Sequence, residues 1–389
     1  MSEQFNNKDY GDYFSALEKS VQKQEKAKQQ PFEHKHLEPV RDRPLQQTPK
    51  QTNIVQSFMP KDVRVRPWVW VAATLLSVAV VCGVIMPKIL RASKSAPQNP
   101  QNLQNTESIA SNVEKQPEQI VDNYAKYTDN TAIIANDVIA QNIIVVNCDT
   151  NTVVAARNAT ARCYPASTTK IMTILTAADY ITDYNDTFTF SYEITDPFHK
   201  QGATMAGFLD GEAVNMTDLF YGAILPSGAD ATAGIAIKVA GSEEEFVKLM
   251  NKKAKELGLK NTNFTNASGL FDENHYTTPE DMAIIVREAM KHDLCREVLS
   301  TYQYTTAATA QHPEGILLTS TLFSYMYGTE PEGSDILGGK TGFVNESGYC
   351  IASFGKSDGG TQYVCVTFKG TSHYPCVYDQ IKLYTGYAK

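Results

Sequence analysis

The sequence predicts a mixed α/β (α+β) domain, an antiparallel sheet flanked by helices plus an all-helical subregion, with a single membrane-spanning helix ahead of it. Three observations carry that prediction. Short β-branched runs lie at both ends of the region from Ala132 onward, helical periodicity fills its middle, and an apolar run without a charged side chain lies well upstream.

The elements follow in chain order. Residues 1–66 are rich in Gln, Lys and Glu and poor in aliphatic side chains, so they cannot bury enough apolar surface to offset the entropy of ordering; they are expected to form a disordered cytoplasmic tail. Trp68 to Met86 is long enough as a helix to cross the hydrocarbon of a bilayer, and two tryptophans stand where aromatic residues favour the interface. The expected anchor covers residues 67–90. It lies too far from the N-terminus, and lacks the small-residue cleavage site, for a secretory signal peptide. The nearest cations tie at three a side, but twelve Lys and Arg precede the span and five lie between it and residue 130. That imbalance is expected to place the N-terminus inside and the C-terminal part outside the membrane. Residues 91–130, with Pro97, Pro100 and Pro117 among Asn and Gln, read as an extracellular stalk, and residues 131–389 as the folded domain.

Within that domain, Asn142–Asn147 and Thr152–Arg157 form an expected hairpin around the turn at Cys148–Asn151. Pro165 precedes a helix expected from Ser167 to about Tyr180. Ser242 with Glu245, and Thr278-Pro279 with Asp281, open two further helices whose apolar stripes are core faces. Tyr349–Phe354 and Thr361–Phe368 alternate as two strands around Ser357-Asp358-Gly359-Gly360, and Tyr374–Tyr387 closes the chain as a helix. Six of the seven cysteines lie beyond the span, in an oxidising space if the orientation holds. Cys350 with Cys365 is the best local pairing; buried free thiols are the equal alternative. Nothing resembles a zinc site, no cofactor motif is present, and a net charge of −8 gives no pull toward nucleic acid.

The chemistry lies in Ser167-Thr168-Thr169-Lys170, Ser227-Gly228-Ala229 and Lys340-Thr341-Gly342. Residues three apart share a helix face, so Lys170 can bring its amine to the hydroxyl of Ser167. A serine hydroxyl needs a base to take its proton, and a lysine serves only when burial or a nearby cation lowers its pKa. Lys340, brought close, would push that way, and a helix N-terminus would offer N–H groups to an oxyanion. Singly, these signals are weak. A chain this long holds about one Ser-x-x-Lys by chance, and about one in ten holds a Lys-Thr-Gly. Ser167 alone reads as a helix cap and Lys170 alone as a solvated face. Their order and setting carry the weight: Ser-x-x-Lys opens a helix, and Lys-Thr-Gly leads a terminal strand pair.

These motifs, together with Tyr164-Pro165-Ala166 before Ser167, Asp218–Gly222 leading to Leu225-Pro226-Ser227-Gly228, Asn266-Ala267-Ser268-Gly269-Leu270 and His275–Met282, span about residues 138–389. The sequence resembles the low-molecular-mass penicillin-binding proteins that act as D-alanyl-D-alanine carboxypeptidases, serine peptidases of the β-lactamase and transpeptidase-like superfamily. The resemblance implies a peptidoglycan stem peptide ending in D-Ala-D-Ala as substrate and acylation by β-lactams. It implies that Ser167 attacks the carbonyl between the two D-alanines, Lys170 accepts its proton and Ser227 relays a proton to the leaving amine. It gives Lys340 and Thr341 the terminal carboxylate, and the backbone N–H groups of Ser167 and Phe343, the latter after Gly342, the oxyanion.

Two departures stand out. The family usually has Asn where this chain has Ala229, and a methyl can neither donate nor accept. Relatives commonly continue into a β-rich domain and a C-terminal amphipathic helix, a duty the N-terminal span would take over. His275 is expected to be structural. A class A β-lactamase needs a glutamate where this chain reads Asn261-Thr262-Asn263-Phe264-Thr265. A transpeptidase would share every residue named, and a feeble wall-binding or antibiotic-sensing module is the reading that Ala229 motivates.

Overall fold

The computed structural model describes residues 122–326 and 328–389. The expected tail, membrane helix and stalk up to residue 121 lie outside the described residues. No helix among the described residues is long and apolar enough to cross a membrane.

The central sheet has six strands: β1 (Ala132–Ile133), β2 (Asn142–Asn147), β3 (Thr152–Arg157), β8 (Ser334–Val344), β9 (Gly348–Ser357) and β10 (Gln362–Gly370), in the order β1-β3-β2-β10-β9-β8. All pairs are antiparallel except β1 with β3. Both predicted hairpins are present, β2–β3 and β9–β10. Along β2, period-two alternation sends Ile143 and Val145 to one face and Ile144 and Val146 to the other. Both faces are therefore covered, and each fully buried Ile or Val stabilises by about 1.5–3 kcal/mol.

Between β3 and β8 lie the helices: α1 (Thr169–Ala178), α2 (Tyr192–Lys200), α3 (Met216–Ile224), α4 (Ala229–Ala240), α5 (Glu243–Glu256), α6 (Pro279–Lys291), α7 (Asp293–Ser300) and α8 (Thr321–Met326). Two small ribbons, β4 (Thr187–Thr189) with β5 (Ala213–Asn215) and β6 (Gln303–Thr305) with β7 (Leu317–Thr319), edge this helical part. The caps do what the sequence asks of them. Ser242 accepts from the Glu245 N–H at 3.2 Å and Thr278 from the Asp281 N–H at 3.1 Å. The large core packs α6 and α7 onto one face of the sheet, with α1 and α3 packed on those helices, while α9 (His373–Tyr387) covers the other with Leu383 and Tyr384.

Three expectations change. The stalk boundary moves back, because Tyr124 donates to Asp281, the Lys126 N–H bonds Asn151 O at 2.9 Å, and both Tyr124 and Ala125 pack on the core. The helix expected from Ser167 starts instead as a tight 3₁₀ turn, Ala166–Thr168, before α1. Cys350 and Cys365 do not pair: Cys365 faces Ser353, three positions from Cys350, and an odd offset puts the two thiols on opposite faces of the sheet. All six cysteines among the described residues are free, five of them buried.

Candidate active site

Ser167 is placed by a strained entry. Pro165 leads into Ala166, whose φ of 48° lies in the left-handed region, at a cost of order 1–3 kcal/mol. The 3₁₀ turn that follows carries the serine hydroxyl one turn below Lys170, whose Nζ lies 2.9 Å from Ser167 Oγ. The same amine donates to the carbonyl of Ser268 at 2.6 Å. The loop carrying Ser268 approaches so closely that Gly269, at φ +81°, has no room for a Cβ: one would run into the Ala166 carbonyl.

β8 closes the other side. A Cβ on Gly342 would meet the Ser167 nitrogen at 2.9 Å and the Thr168 nitrogen at 3.1 Å, so only glycine lets the strand lie against the turn. The first N–H groups of a helix have no intrahelical partner, which makes this contact region a source of donors beside the serine. Phe343 follows, 46% exposed.

The two lysines are both buried, Lys170 at 2% and Lys340 at 1% exposure. Burial pulls Lys170 down to about 7, with the Asp230 carboxylate opposing. Lys340 is pushed well below its ordinary value by burial and then by Lys170. The depression at Lys170 therefore arises from desolvation; the expected push from Lys340 is instead felt at Lys340 itself. Lys340 Nζ donates to Thr341 O at 2.8 Å, whereas the Thr341 hydroxyl shares a 2.6 Å hydrogen bond with Thr321 and lines a cleft.

Two clefts meet at Ser167, one of about 300 Å³ running along β8 to Thr321 and His373, the other of about 470 Å³ running past Lys170, Ala229 and Leu270. Ser227 lines both. It sits at φ 70° in the turn between α3 and α4, and no hydrogen bond joins it to Ser167 or Lys170 among the described residues. The arrangement presents a hydroxyl with a base that can be neutral near pH 7, at the meeting of two grooves, as acyl transfer requires. Among the described residues no group of three His, Cys, Asp or Glu side chains is gathered to hold a metal ion.

His275 takes no part. Its Nδ1 accepts from the Thr265 N–H at 3.1 Å and its Nε2 meets Thr169 Oγ1 at 2.8 Å, so both ring nitrogens are engaged in the core.

The family profile for D-alanyl-D-alanine carboxypeptidases matches residues 128–371. The chain belongs to the D-alanyl-D-alanine carboxypeptidase family. It is 32% identical over 229 residues to the D-alanyl-D-alanine carboxypeptidase DacF of Bacillus subtilis, a match over 59% of this chain and 57% of that protein. It is 30% identical over 254 residues to a D-alanyl-D-alanine carboxypeptidase of Streptomyces sp. strain K15, covering 63% of this chain and 86% of the relative. Among solved structures it is similar to the Streptomyces K15 DD-transpeptidase, with a TM-score of 0.56, 29% identity and coverage of 64% of this chain and 97% of that one. Penicillin binding protein 5 of Haemophilus influenzae gives a TM-score of 0.57 at 25% identity, over 65% of this chain and 71% of the other. The chain thus spans 57% of the length of DacF. The α/β DD-peptidase fold of these neighbours is the one described above.

Seen as a member of the carboxypeptidase family, the chain brings Ser167, Lys170, Ser227, Thr341 and Gly342 to the two clefts, while Lys340 is buried in β8 beside them and His275 stays in the core. Others at the site had no role assigned from sequence. Ser268 stood inside a motif phrase, and Asp230 directly after Ala229, without one. Thr321 and Thr204 gave no signal at all, because a lone threonine in a loop or at a helix start has no local pattern to betray it.

Proposed function

We propose that this chain is a serine-type D-Ala-D-Ala carboxypeptidase acting on peptidoglycan stem peptides, and that β-lactams acylate it. The observation that carries the reading is the 2.9 Å contact of a buried, pKa-lowered Lys170 with Ser167. In this mechanism the neutral amine takes the Ser167 proton as Oγ bonds to the carbonyl carbon of the penultimate D-alanine. The oxyanion lies by the N–H groups of Ser167 and Phe343. The C–N bond then breaks, the leaving D-alanine amine taking a proton through Ser227, and water releases the shortened peptide from the ester. Thr341, with Thr321, meets the terminal carboxylate directly, and Lys340 acts on it through the field rather than by contact.

The cellular setting belongs to the same proposal. Residues 67–90 anchor the chain in the bacterial cell membrane with the N-terminus inside and the catalytic domain outside, where the substrate is. The apolar run and the upstream excess of Lys and Arg support this.

The test uses the full chain in detergent, mixed with a fluorescent penicillin and with a peptide ending in D-Ala-D-Ala, beside Ser167→Ala. Labelling and D-alanine release, both lost in the variant, are expected. Labelling without release points to a sensor, and release that depends on an added amine acceptor points to a transpeptidase, as the similar Streptomyces K15 protein is named.

A further inference from the structure

Four residues line both clefts and so form the saddle between them: Ser167, Ser227, Phe343 and Thr204. A scissile bond presented to Ser167 lies across that saddle. Three of the four have roles in the reaction proposed above; Thr204 has none.

Its setting is built. The Ala229 N–H donates to Thr204 O at 2.8 Å, and just beyond, the Asp230 carboxylate accepts from the N–H groups of Ala206 at 2.7 Å and Gly207 at 2.9 Å. The start of α4 therefore pins the backbone of this segment on both sides of residue 205. The Thr204 side chain itself is exposed, and its hydroxyl has no hydrogen-bond partner among the described residues. Position 229, on the same wall, presents only a methyl to the second cleft. A peptide crossing the saddle brings amide groups that must exchange water for a protein partner, and leaving one unpaired costs about 1–3 kcal/mol.

We infer that Thr204 is a substrate-binding residue whose hydroxyl hydrogen-bonds a peptide group on the acyl side of the scissile bond, the contact that Ala229 cannot make. A threonine hydroxyl can donate or accept, so it suits either end of that peptide group. The inference rests on the carboxypeptidase reading and sharpens it.

The test is made on the full chain with Thr204→Val, which keeps the shape and removes the hydroxyl, and Thr204→Ser, which keeps the hydroxyl and removes the methyl. Both kcat/KM for D-alanine release and the rate of acylation by a fluorescent penicillin are measured, with Tm as a check on folding. The expected result is a loss of roughly tenfold in kcat/KM for Thr204→Val, a Thr204→Ser variant within about twofold of the parent, and the same Tm for all three. A Thr204→Val variant within twofold of an active parent overturns this inference alone, as does an equal loss in the serine variant, which shows a packing role. A parent that neither labels nor releases D-alanine overturns the function and this inference with it.

Discussion

Two lysines lie within one site under nearly the same burial, yet the fold gives them different surroundings. Lys170 has a carbonyl acceptor in Ser268 and a hydroxyl in Ser167, and it opens onto a cleft. Lys340 has a carbonyl acceptor in Thr341 and lines neither cleft. Desolvation acts on both amines, and the charge of Lys170 lowers Lys340 further, so a protonated pair is disfavoured. What separates a base from a distant electrostatic group here is the partner within reach, since burial is common to both. An amine 2.9 Å from a hydroxyl can take its proton; one turned to its own strand can only shape the potential.

The largest effect that tests this contrast is removal of each amine in turn. Lys170→Met keeps the volume and removes the base, so acylation by a fluorescent penicillin should fall by roughly 10²–10⁴-fold. Lys340→Met should cost roughly tenfold, about 1.4 kcal/mol, mainly in KM for the peptide, because a charge that acts on the carboxylate through the field contributes to its binding without a direct hydrogen bond. Rapid-mixing kinetics on both variants decide the matter. Equal losses in kcat would show that Lys340 also touches the reacting atoms, and the contrast drawn above would fail.

The pH dependence separates the causes of the lowered base. Below a pKa of about 7 Lys170 is protonated and cannot accept the serine proton, so acylation should rise about tenfold per pH unit up to that point and then level. Since burial sets the value, the same limb should appear at the same pH in Lys340→Met. An upward move of a full unit in that variant would make the second cation, and not desolvation, the cause.

Much of the framework was legible in the sequence, and the reasons are local. The β2–β3 and β9–β10 hairpins announce themselves by alternation and turn residues, and α5 and α6 by Ser242 and Thr278 at their caps. Ser167, Lys170, Ser227 and Lys340 came from spacing and order. What local pattern cannot supply is the distance between segments far apart in the chain. The strands of Cys350 and Cys365 were rightly paired, but the offset across them, and so the face of each thiol, depends on register. Thr321 matters only because the fold brings it to Thr341, and Thr204 only because α4 pins its backbone beside the saddle. Strands such as β1 and β4, two or three residues long, carry no period to read.

A third buried base, His275, extends the comparison to a group with no chemistry to do, and its effect should appear in stability alone. Burial lowers its pKa to about 4, Lys170 adding to the effect and Asp272 opposing it. The geometry agrees: Nδ1 accepts from the Thr265 N–H, so a proton arriving there would face a donor. The unfolded chain takes up that proton near pH 6.5, the folded chain only near pH 4. Between those values the unfolded state binds more protons, so stability must fall as the pH falls, by on the order of 3 kcal/mol in all. Denaturant unfolding of the parent and of His275→Gln at pH 7 and pH 4.5 isolates this contribution from that of the carboxylates, which both chains share. The parent should lose more stability than the variant across that interval, while acylation measured at pH 7 changes little. An equal loss in both would mean that the imidazole is protonated in the fold and that Nδ1 has turned away from Thr265.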